Sequence, residues 1–268
     1  MKNLFISYVK RLTMKVNLSW VLGFLAFWSI LSMLLINVYK PSDLREYSLY
    51  VSLGYSSTTL IALSTFAIGV AFAIFFNTQA LPFMFKFSKL TPPKYILAFY
   101  SANLIDAEII GIFSMLVFIM LTKLEGTIVL PSNPALLIVG VFFEGLLLIS
   151  LAVLIELFSL IKIKILQYSL FLLYIPMFIV IASYFLYIVY PYSNPIVDYA
   201  NPFLSSMLLT AYSYYGNTLP VSVPDYSSEL SLLYLFLGIF PWIIVLTVVD
   251  ILMLRKVYLR QVEEQRMF

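Results

Sequence analysis

ALLIVGVFFEGLLLISLAVLIELFSL, residues 135–160, contains two carboxylates, Glu144 and Glu156, and no base. A helix needs about 20 mostly apolar residues to cross the roughly 30 Å hydrocarbon core of a bilayer, and this run is long enough. It lacks the alternating polarity of a membrane barrel strand, so a helix is the form that can satisfy its backbone in lipid. The same reading predicts five further spans. Leu18–Val38 is uncharged, and Ser57–Phe76 follows it. Ala98–Leu121 contains Asp106 and Glu108, Ile165–Tyr190 carries Pro176, and Leu230–Leu254 holds Pro241 and Asp250. The expected fold class is an all-α integral membrane domain of six transmembrane helices.

Composition agrees. Hydrophobic residues make up 62% of the 268-residue chain, charged residues 11%, and mean hydropathy is +1.00. Soluble domains run at about 45–50% and about 25%, so a water-soluble globular enzyme is excluded. There is no Cys and no His. That removes disulfides, thiolate nucleophiles, Cys/His zinc or haem ligation, and every Ser-His or Cys-His catalytic arrangement. No Gly is followed by Lys, so a Walker A phosphate loop is absent. Carboxylates, Lys and 20 Tyr remain for proton or ion chemistry.

The basic residues define a topology. Lys2, Lys10, Arg11 and Lys15 precede the first span; Lys86, Lys89 and Lys94 lie between the second and third. Lys162 and Lys164 link the fourth and fifth, and Arg255, Lys256, Arg260 and Arg266 follow the last. The opposite side has Lys40, Arg45 and Lys123. Thirteen against three places both termini in the cytoplasm by the positive-inside bias. The basic excess is topological and gives no support for nucleic-acid binding. The first apolar run is longer than a signal-peptide core and has no small-x-small cleavage site after it, so a retained anchor is expected.

Two segments outside the spans carry their own pattern. In residues 1–17, Leu4, Phe5, Tyr8, Val9, Leu12 and Val16 fall on one helical arc flanked by Lys2, Arg11 and Lys15, which predicts an amphipathic interfacial helix. The outer loop 191–229 holds Asp198, Asp225 and Glu229 but no base. Within it, Phe203–Tyr215 is too short to span and suits a helix dipping into the outer leaflet. Asn201 is placed to cap it, Pro202 to start it, and Gly216-Asn217 to end it.

Carboxylates inside spans cost about 2.5–3.5 kcal/mol on insertion scales. Glu144 is the most isolated; either a substrate or proton role, or an interhelical hydrogen bond, explains it. Asp106 and Glu108 lie about 200° apart on a helix and cannot form one catalytic pair. Pairing with Lys89, Lys94 or Arg11, as a relay from the interfacial helix, is expected of them. Glu156 is expected near Lys162 or Lys164, and Asp250 near Arg255. The tyrosines 184, 187, 190, 192, 199, 212, 214 and 215 read as an interfacial belt or as a hydroxyl-lined exit. Gly140 and Gly145 miss the four-residue spacing of a helix-dimer motif.

LPFMFKFSKLTPPKYILAFYSANL (81–104) and DYANPFLSSML (198–208) add a family likeness. With the order of spans and loops, they resemble the six-helix permease of type-2 ABC exporters. Asn77-Thr78-Gln79 and three lysines stand where that family often has a Gly-Thr turn and an Arg-rich stretch. The resemblance implies a cytoplasmic coupling helix within 79–97, with Pro82, Phe83, Lys86, Phe87, Lys89, Thr91, Pro92 and Lys94 at the junction with an ATPase. Phe83, Phe85 and Phe87 would be hydrophobic plugs there or headgroup-level anchors. Asn201, Pro202 and Phe203 would belong to an outer re-entrant helical hairpin. The chain would be a transport subunit without its own catalytic site, cofactor or metal. It would work with two ATP-binding subunits that hold ATP and Mg, and with a second permease copy or a paralogue. The setting would be the lipid bilayer of a prokaryotic plasma membrane. The alternatives are an ion- or proton-coupled carrier using Glu144, Asp106 and Glu108, and an intramembrane aspartyl protease using Asp106 and Asp250, which lacks the usual Gly-x-Gly-Asp context.

Overall fold

The computed structural model describes residues 15–39, 43–77, 81–87, 90–161, 175–190, 194–223 and 225–256. They form α1 (Lys15–Tyr39), α2 (Leu44–Asn77), α3 (Leu81–Phe87), α4 (Pro92–Leu124), α5 (Pro134–Ile161), α6 (Ile175–Val189), α7 (Ile196–Ala200) and α8 (Pro202–Tyr215). A hairpin of β1 (Pro220–Ser222) and β2 (Asp225–Glu229) precedes α9 (Leu232–Leu254). Five helices, α1, α2, α4, α5 and α9, are long and apolar enough to cross a bilayer. The fifth expected span, 165–190, is described from residue 175 onward, where the shorter α6 stands; residues 165–174 lie outside the described residues. Most of the amphipathic helix 1–17 also lies outside them, as do Lys89, Tyr192, Lys162 and Lys164.

The second helix begins at Leu44 rather than at Ser57, so it absorbs most of the expected outer loop. No proline interrupts 44–77, and the hydroxyls of its first half satisfy themselves on the helix. Ser52 donates to Leu49 O (2.7 Å), Ser56 to Leu53 O (3.0 Å), Ser57 to Gly54 O (3.1 Å) and Ser64 to Ile61 O (2.7 Å). Such back-bonding lets serine sit in an apolar interior without a stranded donor. Every residue from 51 to 64 is buried, and α2 packs against α1, α4, α5, α6 and α8. It is the axis of the bundle.

The other long helices divide their surfaces. On α9, Leu235, Ile239, Ile243, Leu246, Asp250 and Leu254 are buried at three- and four-residue spacing, while Leu233, Leu237, Phe240, Val248 and Leu252 are exposed. An apolar stripe facing outward as well as inward is what a lipid-facing helix requires. The fourth helix starts at Pro92 rather than at Ala98. Pro92 and Pro93 occupy its first turn, where missing N–H groups cost nothing.

Between α6 and α9 the expected short helix forms as α8. Asn201 Oδ1 accepts from Phe203 N (3.1 Å) and Leu204 N (3.3 Å), Pro202 starts the helix, and Gly216 closes it at φ 78°. Asn201 Nδ2 also donates to Ser183 Oγ on α6 (2.9 Å). The helix is buried almost all round, against α2, α5, α6, α7 and α9. The β hairpin is a feature the sequence reading missed, because Pro220-Val-Ser reads as a loop by composition. It forms because Tyr187 holds it: Tyr187 OH donates to Pro220 O (2.8 Å), and Val223 N donates to Tyr187 O (3.1 Å). Tyr187 and Tyr214 are therefore core residues at 0% and 1% exposure, against the expected aromatic belt; Tyr190, at 66%, fits it.

Asn201→Ala is expected to lower the unfolding temperature in detergent, since loss of an N-cap costs about 1 kcal/mol and the Ser183 bond goes with it. Asn201→Asp, which keeps the cap, is expected to lower it less.

Candidate functional site

Two close approaches lock α4 to α5. Gly145 faces Ala107, and Gly111 faces Val141, each too near to admit another methyl group without displacement. These pairs set an antiparallel register, 107 opposite 145 and 111 opposite 141. Glu108 and Glu144 therefore stand at one level, between the two pinch points. Gly140, five residues before Gly145, turns to another neighbour, Thr210 of α8. The two glycines serve two interfaces, which is why they lack dimer-motif spacing.

The axis helix adds a polar layer beside these carboxylates. Tyr55 donates to Gly111 O (3.4 Å), and Thr59 Oγ1 reaches both Tyr55 O and Ser114 Oγ at 2.8 Å. The Tyr55 ring lies 4.8 Å from that of Tyr214 and edge-on to Phe118 at 6.0 Å. Glu144 is 0% exposed and lies within electrostatic reach of Tyr55 and Glu108. Neither Glu144 oxygen has a hydrogen-bond partner, so the interhelical bond expected of it is not made among the described residues. Glu108 is half-buried and leaves Oε1 unpartnered; Asp106 is buried with Oδ1 unpartnered.

The expected pairing of Asp106 and Glu108 with Lys94 is not formed. Lys94 is exposed at the start of α4, and the rise from position 94 to 106 is about 18 Å, beyond a lysine's reach. The other suggested partners, Lys89 and Arg11, lie outside the described residues. Asp250 also differs from expectation: Arg255 is exposed, and Asp250 instead accepts a hydrogen bond from Tyr100 OH, tying α9 to α4. Tyrosine was not considered as a partner, although Tyr100 is the kind of buried donor an interior carboxylate needs. Glu156 is 3% exposed.

The basic segment forms a second constellation. Its helix α3 buries Leu81, while Lys86 and Phe87 are exposed with Lys86 Nζ 5.4 Å from the Phe87 ring centroid. Phe85 is not an outward plug: it packs edge-on to Tyr95 (6.1 Å), which stacks on Phe99 (5.8 Å). This fastens α3 to the first turns of α4. Thr91, the N-cap residue, and Lys94 are exposed, and Pro92 is half-buried. Pro82 and Phe83 belong to α3.

At the other end of α2, Arg45 Nε donates to Tyr215 OH (3.2 Å) between two clefts of about 450 and 500 Å³. Asp43 lines both, Glu46 and Glu229 the first, and Ser132 and Asn217 the second. Sequence reasoning passed over these charges as loop residues. The cluster Asp43-Leu-Arg45-Glu46 at a helix start was the available signal.

Comparison with known protein families, curated proteins and solved structures finds no match for this chain. The helices themselves define the class, an integral, multi-pass helical membrane protein.

Tyr100→Phe is expected to destabilise the protein by about 1–3 kcal/mol, because a buried carboxylate loses its donor. A double-mutant cycle with Asp250→Asn should return a coupling of at least about 0.5 kcal/mol; additive effects would mean the two groups do not interact.

Proposed function

We propose that the chain is the permease subunit of an ATP-binding-cassette exporter. On this reading six helices span the plasma membrane of a prokaryote, with both termini cytoplasmic. Two permease subunits, identical or paralogous, enclose the pathway, and two separate ATP-binding subunits supply ATP and Mg. The observation that carries the reading is the tip of α3: Lys86 and Phe87 are exposed on the strongly basic side, and Phe85 on Tyr95 joins that tip to α4. A partner pressing on α3 would load a continuous helix of 33 residues that reaches from the basic side to Glu108 and beyond. Coupled motion of this kind needs a rigid lever and a docking point, and α4 and α3 supply them. The capped helix α8, with Asn201, Pro202 and Phe203 at its start, fits an outer re-entrant element beside the last span.

A tagged chain drawn from native membranes is expected to bring down a protein with a phosphate loop, and ATP hydrolysis should appear in the complex alone. Combined Lys86→Ala and Phe87→Ala should weaken that association at least about tenfold, roughly 1.4 kcal/mol and within the range for an interface anchor. Transport by the reconstituted chain in the absence of any nucleotide-binding subunit would refute the reading.

A further inference from the structure

Among the described residues, no base stands at the level of Glu144. The segments 46–77, 95–122, 134–161, 202–215 and 232–254 contain no Lys or Arg, so the helices packed around α5 bring no base to its level. The groups facing it are acids and hydroxyls. From α2 comes Tyr55, with the tilted ring of Tyr214 of α8 against it; from α4 comes Glu108. The acid of α9, Asp250, is engaged by Tyr100, and α6 carries tyrosines but no charged residue. Among the described residues there is no group of three or more His, Cys, Asp or Glu side chains able to hold a metal. Two carboxylates at one level, one fully buried with both oxygens unpartnered, cannot both keep their charge in a medium of low dielectric.

We propose that Glu144 is a proton-binding site, holding one proton as a carboxylic acid in the packed bundle and exchanging it through half-buried Glu108. In the exchange the O–H bond of Glu144 breaks, an O–H bond forms on Glu108, and the pair's single negative charge moves to Glu144. Water at the bundle surface then delivers one proton to Glu108 as it takes the other, so the pair never carries two charges, and the reverse transfer reloads Glu144. Closure of α4 on α5 through Gly111 and Gly145 favours the protonated state, because it removes water from the level of the pair. The site does not depend on the ATP-driven reading. It belongs to one chain, and it stands or falls whether or not an ATPase partner exists.

Infrared spectroscopy of the purified full chain in lipid vesicles tests it. At neutral pH a carboxylic-acid carbonyl absorption is expected, and Glu144→Gln should remove it while leaving the amide bands unchanged. On transfer to heavy water the band should shift as the proton exchanges. Glu108→Gln should slow that shift on the order of a hundredfold, the low end of what a positioned proton-transfer group contributes. Should Glu144→Gln not accumulate, carbon-13 glutamate labelling in a Glu108→Gln, Glu156→Gln background assigns the band, since Glu144 is then the one glutamate left in α4 and α5. A Glu144 that is ionised at neutral pH, or ionised whenever sodium or potassium is present, overturns the proposal. Exchange as fast in Glu108→Gln as in the parent chain overturns the route through Glu108.

Discussion

A carboxylate in a helix bundle must find a donor, a cation or a proton, and this chain places five of them, Asp106, Glu108, Glu144, Glu156 and Asp250, in long helices whose buried stretches contain no base. Asp250 finds a donor in Tyr100, and α9 is thereby bound to α4. Asp106, Glu108 and Glu144 each leave at least one buried oxygen without a partner. The rest of the interior is spent on avoiding this problem. Serines and threonines of α2 and α8 return their protons to carbonyls of their own helices, as Ser206 does to Phe203 O (2.9 Å) and Ser213 to Leu209 O (2.7 Å). Against that background of satisfied hydroxyls, the unsatisfied carboxylates are the places where the structure retains chemistry.

The architecture follows from α2. A helix buried on every side for fourteen residues, from 51 to 64, can only be the centre of a bundle, and the remaining helices are arranged by what they share with it. Other elements close over its beginning: Arg45 meets Tyr215 at the end of α8, and Ser132 donates to Tyr215 O (3.0 Å). The opposite end belongs to α3 and the start of α4, joined by aromatic contacts. Glu108 and Glu144 lie between these ends on a close contact of α4 with α5, where a small separation of the two helices would admit water to a buried acid. On the proposed reading, a lever attached at one end and a titratable pair along its length are compatible parts of one device, although each can be disproved without the other.

Much of this was readable from residues. Charge scarcity and apolar length require lipid whatever the fold, since backbone groups in hydrocarbon must pair internally. The start of α8 was legible down to the atom, because an Asn side chain ahead of Pro has one favourable use, as a cap. Failures were of another kind. The helix α2 begins at Leu44, ahead of the expected Ser57, because Ser48, Ser52 and Ser56 find carbonyls on the helix itself. The hairpin was missed because its stability comes from Tyr187, more than thirty residues away in sequence from Pro220.

The sequence by itself determined the solvent of this protein, the apolar character of its long helices, and the chemistry left open by the lack of His and Cys. Those are properties of composition and of local periodicity, which no packing arrangement can alter. Tertiary structure alone decided which carboxylates meet which partners. Glu108 stands opposite Glu144 because Gly111 and Gly145 permit two backbones to touch, and Asp250 meets Tyr100 rather than Arg255 because two distant helices cross there. Register between helices depends on shape complementarity summed over both faces, and no single strand of residues contains it.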